Sequence, residues 1–377
     1  MKIAFIGQKE IPAASGGVEK HVENLATRLA EMGHEVFAYT FEKNDQKLPE
    51  EYRGIKLINS SNILTATFHA LFSNYDIVHY QSTEPTLLNF IPKFFKRKTT
   101  IIATVYSRNN AGKSKRYLIN FAEKITCKSS DKVIVTNKNL RNYIFNKYKI
   151  KAAYVPNGSQ VIYNNEIRAL DRWKLKKGKY ILSIAKKTKS KGIGYLIESF
   201  KNIEATNKIP NGFKLVIILD GFQKKDYLKE LYTSRGTKNN IIFTENQTGS
   251  TLQQLFSHAY LFVQPSESEG LSISLLEAMG YGIAPLVSNI PENLEAIGKC
   301  GFSFHTRSKE NLEEKLAYLL NKSDEVKKIG KCAKERVQKE YSWDSIARKT
   351  LRIYELNQKL PSKSTFRRIS AESKSYV

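Results

Sequence analysis

The chain has 377 residues, 61 lysines and arginines against 36 acidic residues, a formal charge of +25, and 41% hydrophobic and 11% aromatic content. This excludes a disordered chain and, at roughly 100 to 200 residues per domain, points to about two domains with cores of their own. Three scattered cysteines, Cys127, Cys300 and Cys332, are too few for a disulfide framework or a zinc site and suggest a reducing compartment; the sequence shows no signal-peptide core and no apolar run near the roughly 18 residues of a membrane span.

Short β-branched runs alternate with helix-period segments, the pattern of βα units on parallel sheets. A strand at 3–6 opens the series, and 18–32 follows as a helix with Val18, Val22, Leu25, Ala26 and Leu29 on one face and Gly33 as its stop. Further strands are expected at 35–40, 76–80, 100–105, 132–136 and 153–155. After Pro156-Asn157-Gly158 a polar, unpatterned stretch to about Lys179 reads as a linker. The pattern then restarts with strands at 180–184, 214–219, 241–244, 259–263 and 283–287 and helices at 311–322, 323–340 and 342–357. The predicted fold is α/β: two doubly wound domains, 1–160 and 161–342, face a central cleft, and 343–357 is a helix packing back on the first. Residues 358–377, with five basic residues against Glu372, read as a mobile basic tail.

The charge is uneven. Residues 1–84 sum to −3 from 8 basic and 11 acidic residues, whereas 85–151 hold 16 basic residues against Glu123 and Asp131, a surplus of +14. Such a field calls for an anionic partner. No nucleic-acid recognition module accompanies it, so nucleic acid is not expected. Residues 87–98 mix bulky apolar residues with Lys93, Lys96, Arg97 and Lys98, either an interfacial anchor or a core helix ending in a solvated basic turn; the charges favour an anionic membrane surface.

Chemistry concentrates in Pro265-Ser266-Glu267-Ser268-Glu269-Gly270-Leu271-Ser272-Ile273-Ser274-Leu275-Leu276-Glu277-Ala278-Met279. A buried strand ending at Pro265, a polar turn, and a helix from about Ser272 place Glu269 in a loop at the sheet's carboxyl edge and Glu277 on the departing helix. Ionised carboxylates accept hydrogen bonds from vicinal hydroxyls, and free amides around Ser274 and Leu275 would hold phosphate oxygens. Glu267 reads as a solvated residue.

This frame resembles the signature of retaining GT-B glycosyltransferases of the large family four. Gly16-Gly17-Val18-Glu19-Lys20-His21-Val22 is similar to that family's glycine-rich turn, Tyr154-Val155-Pro156-Asn157-Gly158 to its hinge, and 182–192 to the element that ordinarily reads Gly-Arg-Leu followed by Lys-Gly. The resemblance implies a GT-B fold and transfer of a sugar, with retention, from a nucleotide-diphosphate donor, a UDP-sugar by default, to a lipid-linked or cell-surface polysaccharide acceptor. It implies that Glu269 binds donor-sugar hydroxyls, Glu277 the ribose, and Lys186 and Lys191 the diphosphate, with Gly16, Gly17, Gly270, Leu271, Ser272, Ser274 and Leu275 lining the donor. In a lysine-rich chain any one of Lys186, Lys187 and Lys189 is more often surface than site, and Lys191 before Gly192 is the safer assignment. The chain has no Asp-x-Asp motif, so no metal or other cofactor is expected beyond the nucleotide sugar. His21 should face the cleft. Tyr106 stands where the family's Thr-x-His frame has histidine and would offer a hydroxyl donor; Gln81 replaces a second common histidine, and His79 reads as a packed core residue. These replacements keep open a non-catalytic partner or scaffold subunit. The expected location is cytoplasmic, peripheral at the inner face of the cell membrane.

Overall fold

Ile3, Ala4, Phe5 and Ile6 are fully buried, as a strand covered on both faces of its sheet requires. A computed structural model of the chain describes residues 1–14, 16–41, 49–82, 98–107, 116–221, 225–234 and 240–358. The first domain runs β1 (Lys2–Ile6), α1 (Gly17–Glu31), β2 (Glu35–Thr40), β3 (Glu51–Tyr52), β4 (Ile55–Asn59), α2 (Ile63–Phe72), β5 (Ile77–Ser82), β6 (Thr100–Val105), α3 (Arg116–Ser129), β7 (Lys132–Val135), α4 (Lys138–Tyr148) and β8 (Ala153–Tyr154). The second runs α5 (Arg168–Asp171), β9 (Tyr180–Lys186), α6 (Ile193–Ala205), β10 (Lys214–Asp220), α7 (Lys225–Ser234), β11 (Ile241–Glu245), α8 (Gly249–His258), β12 (Leu261–Gln264), α9 (Ile273–Gly280), β13 (Ala284–Ser288), α10 (Pro291–Ile297), β14 (Phe302–Phe304), α11 (Lys309–Leu320) and α12 (Ser323–Glu340), and α13 (Trp343–Asn357) follows.

The first sheet has the order β3-β4-β2-β1-β5-β6-β7-β8, parallel apart from β3, and the second the order β11-β10-β9-β12-β13-β14, parallel throughout. Strand order reverses between β1 and β5 and between β9 and β12. Crevices open at the carboxyl ends of such strands, and the loops leaving β1, β9 and β12 carry Gly16, Lys191 and Glu269. This is a GT-B architecture of two Rossmann-like domains.

The chain crosses between domains twice at adjacent points. Ser159 bridges Ser342, its amide donates to the Tyr341 carbonyl at 2.8 Å, and a Cβ on Gly158 would run into the Trp343 ring. Beyond this point Trp343, Ile346, Ala347 and Tyr354 of α13 enter the core of the first domain beside Phe5, Val22 and Leu25. Arg28 of α1 pairs with Asp344 at 2.8 Å.

Two readings need correction. The expected linker is partly folded, because Leu170 and Leu175 are buried in the second domain's core around α5. Cys300 and Cys332 form a disulfide, their Cα atoms 5.2 Å apart, because α12 packs along β13 and α9 and carries Cys332 back to the turn after α10. Cys127 is a free buried thiol, pushed up to about 12 by burial and then by the charge of Glu123. Lys93, Lys96, Arg97 and the tail from 359 lie outside the described residues; Lys98 is exposed just before β6.

Candidate functional site

The loop after β9 and the loop after β12 are pressed together by glycine. Gly192 adopts φ +67°, a conformation open to glycine at little cost, and a Cβ there would collide with the Pro265 carbonyl. Lys191 is thereby held 2.6 Å from Glu269, with both side chains largely buried, and it also donates to the Ser268 carbonyl at 3.2 Å. The Ser266 hydroxyl donates to the same Glu269 oxygen at 2.7 Å. One residue later Glu269's loop meets the other domain: a Cβ on Gly270 would stand 2.5 Å from the Tyr106 carbonyl oxygen.

The start of α9 is capped from within. Ser272 accepts the Leu275 amide at 3.3 Å, donates to Gln264 at 2.8 Å and lies 3.1 Å from the Ser274 hydroxyl. The Leu275 amide is therefore not free, contrary to expectation; the amides of Ile273 and Ser274 have no hydrogen-bond partner among the described residues. Glu277, one turn on, reaches across to Lys20 of α1, whose Nζ lies 3.4 and 3.5 Å from its two oxygens. Gly16, at φ +90°, precedes α1, and a Cβ there would meet the Glu19 carboxylate; Gly17 faces the Ile273 side chain, so α1 and α9 begin against one another.

Asn157, in the hinge, ties the two domains in a buried chain. Its amide nitrogen donates to the Leu271 carbonyl at 2.6 Å, which leaves its oxygen to accept from His21 Nδ1 at 2.9 Å and fixes the proton on that nitrogen. Lys20 and Asn157 were not assigned roles by sequence reasoning; Asn157 was visible only as part of a hinge motif, and Lys20 only as part of the glycine-rich turn.

Two family models match the chain: Glycosyltransferase Family 4 over residues 15–160 and Glycosyl transferases group 1 over residues 167–336. The chain belongs to the family 4 glycosyltransferases. It is 25% identical to an uncharacterized glycosyltransferase of Methanocaldococcus jannaschii over 94% of this chain and 98% of that one, and 22% identical to the amylovoran biosynthesis glycosyltransferase AmsD of Erwinia amylovora over 71% and 76%. Its fold matches that of HepE from Anabaena in complex with UDP, with a TM-score of 0.75 and 15% identity over 94% of this chain and 100% of that one.

In this family 4 member the two positions that lack the common histidines bond to each other: the Tyr106 hydroxyl donates to Gln81 Oε1 in a buried contact. Burial, followed by the charge of Glu19, pushes that phenol well above its usual range, so it stays protonated. Tyr106 therefore spends its hydrogen on Gln81 and has none for a sugar hydroxyl, a correction to its expected role. Gln81 Nε2 is buried without a partner among the described residues. His79 is a core residue, bonded to Tyr354 at 2.6 Å and Thr104 at 2.7 Å. Lys186 ends β9 exposed and without an ion pair among the described residues, whereas Lys187 beside it lies 3.8 Å from Glu245. Glu267 is not simply solvated: it binds Arg307 at 2.6 Å and Tyr195 at 3.2 Å.

Burial holds His21 and His79 neutral. His21 is lowered to about 4, with the Asn157 bond opposing the shift, and His79 lies well below its usual value. Unfolded histidine titrates near about 6.5, so below that pH the unfolded chain takes up protons that the folded chain refuses. Stability should be fully present above about pH 6.5 and fall steadily toward about pH 4. Thermal unfolding at a series of pH values checks this, and His21→Gln should flatten part of the slope; a level profile across the window would contradict it.

Proposed function

We propose that the chain transfers a sugar with retention from a nucleoside-diphosphate donor, a UDP-sugar by default, to a lipid-linked or cell-surface polysaccharide acceptor. The observation that supports this is the Lys191–Glu269 pair made by the loops after β9 and β12, followed within a few residues by the open amides of Ile273 and Ser274 and by Glu277 on α9. Lys191 and those amides would neutralise the diphosphate as the bond from the anomeric carbon to its oxygen breaks. The acceptor oxygen bonds to that carbon from the same face, and its proton passes to the leaving phosphate oxygen. Glu269 would hold hydroxyls of the sugar, and Glu277 those of the ribose. No step calls for a metal ion.

The acceptor side of this proposal is an anionic membrane surface. Both acids of the basic segment point inward: Glu123 is 3% exposed, holding Lys147 at 3.2 Å and Tyr148 at 2.9 Å, and Asp131 accepts the Ile101 amide at 2.9 Å. Neither acid therefore offsets the exposed basic residues among that segment's described positions, such as Lys98, Lys124, Lys128 and Arg141. In the same domain the uncharged helix α2 exposes Leu64, Phe68 and Phe72 at a spacing of four, a stripe suited to lipid. No helix among the described residues is long and apolar enough to cross a membrane.

Incubation with UDP-, GDP- and ADP-sugars and polyprenyl-linked glycans, in phosphatidylglycerol vesicles, should yield a glycosylated lipid and free nucleoside diphosphate from one donor. Failure with every donor contradicts the proposal. Equal sedimentation with phosphatidylcholine vesicles contradicts the membrane half of it.

A further inference from the structure

The carboxylate assigned to the ribose already has a partner in the structure, supplied by the other domain. Lys20 sits in the first turn of α1, where its amide donates to the Gly16 carbonyl at 3.2 Å, and its ammonium is shared between the two oxygens of Glu277 at 3.4 and 3.5 Å. These distances exceed the roughly 2.7–2.9 Å of a well-formed charge-assisted hydrogen bond. The Lys191–Glu269 pair, at 2.6 Å, does not. The lysine side chain is 32% exposed and the carboxylate 17%, and so open a pair contributes little stability. Of the two lysines at the site, Lys191 is fixed and Lys20 is loosely held.

Vicinal ribose hydroxyls and an ammonium compete for the same carboxylate oxygens. A ribose at Glu277 therefore displaces Lys20, and any diphosphate attached to it brings fresh negative charge to the start of α9. A Cβ on Gly17 would come within 3.9 Å of Ile273 Cδ1, so the first turns of α1 and α9 border one gap. The lysine stem is long and flexible enough to turn its charge from the carboxylate toward phosphate oxygens in that gap.

We propose that Lys20 is a diphosphate-binding residue contributed by the N-terminal domain, exchanged from Glu277 to the phosphates when the ribose arrives. The inference rests on the donor-site reading of Glu277. Under it a nucleoside diphosphate engages both domains, whereas a nucleoside only competes with Lys20. Recognition of the diphosphate thereby becomes a condition for drawing the two domains onto the donor.

Calorimetric titration with uridine and UDP, guanosine and GDP, and adenosine and ADP tests this on the wild type, Lys20→Met, Lys20→Arg and Glu277→Gln, with thermal midpoints confirming that each is folded. For the base that the wild type binds, Lys20→Met should weaken the diphosphate about tenfold while the nucleoside binds as well or better. Lys20→Arg should restore most of the diphosphate affinity, and Glu277→Gln should weaken both ligands. Equal losses for nucleoside and diphosphate in Lys20→Met, or no change in either, overturn the role of Lys20 and leave the donor site standing. A wild type that binds none of the six overturns the donor site, and Lys20's role falls with it.

Discussion

Changing Glu269 to glutamine should lower sugar transfer about a hundredfold or more while the protein stays folded. The amide keeps the shape of the carboxylate and still accepts from Ser266, which now stands 2.7 Å from Glu269. It does not neutralise Lys191, held 2.6 Å from the carboxylate, and its nitrogen would face that ammonium. Two things are lost together: a charged acceptor for sugar hydroxyls, and the counter-charge that fixes Lys191 for the leaving phosphate. The loss should appear mainly in kcat, because both contributions grow as the glycosidic bond breaks. Lys191→Met should lose as much, and the double variant little more than either alone, since the two groups act as a unit. Steady-state kinetics with the natural donor decides the matter; a glutamine variant retaining more than about a tenth of wild-type kcat would move the chemistry elsewhere.

Asn157→Leu should be the most damaging single change in the hinge. It removes the 2.9 Å bond from His21 and the 2.6 Å bond to the Leu271 carbonyl, stranding a buried N–H and a buried C=O. Each stranded group costs about 1–3 kcal/mol, so the thermal midpoint should drop by several degrees. The donor KM should rise as well, because Leu271 follows Glu269 by two residues and loses its tie to α1. Asn157→Asp should separate the two bonds: its carboxylate still accepts from His21 but sets an oxygen against the Leu271 carbonyl. An unchanged midpoint and KM in Asn157→Leu would show that the buried chain does not hold the loop.

Most parallel strands were legible in the sequence as short apolar runs between turn signals, although β4 and β14, parallel to β2 and β13, were not. The runs at Glu35–Thr40 and Thr100–Val105 have the same bounds in sequence and structure; the second is buried along its whole length, so no exposed position blurs it. The β3–β4 hairpin was not legible. Its turn is Arg53-Gly54, both at positive φ, and arginine is not a residue that announces such a turn. Helix α2 was hidden because Ile63–Phe72 has no charged face to set against an apolar one; its signal was the cap, where Asn62 and Thr65 exchange side-chain and backbone bonds.

At the candidate site, Glu269, Glu277 and Lys191 could be picked out because each lies in a frame a few residues long. The partners across the cleft could not. Lys20 and Glu277 are 257 residues apart, and nothing in the glycine-rich turn that contains Lys20 points to Glu277. Gln81 and Tyr106 meet only because β5 and β6 are neighbours in register, which brings the end of one strand to the residue after the other. The Cys300–Cys332 pairing was hidden for the same reason: it depends on where α12 packs, not on the spacing of the cysteines.

A crystal structure of the chain with a nucleoside diphosphate tests the central claim most directly. The account predicts diphosphate oxygens within hydrogen-bond distance of Lys191 Nζ and of the Ile273 and Ser274 amides, with the ribose against Glu277. A nucleotide seated elsewhere, or one whose phosphates turn away from Lys191, would contradict it.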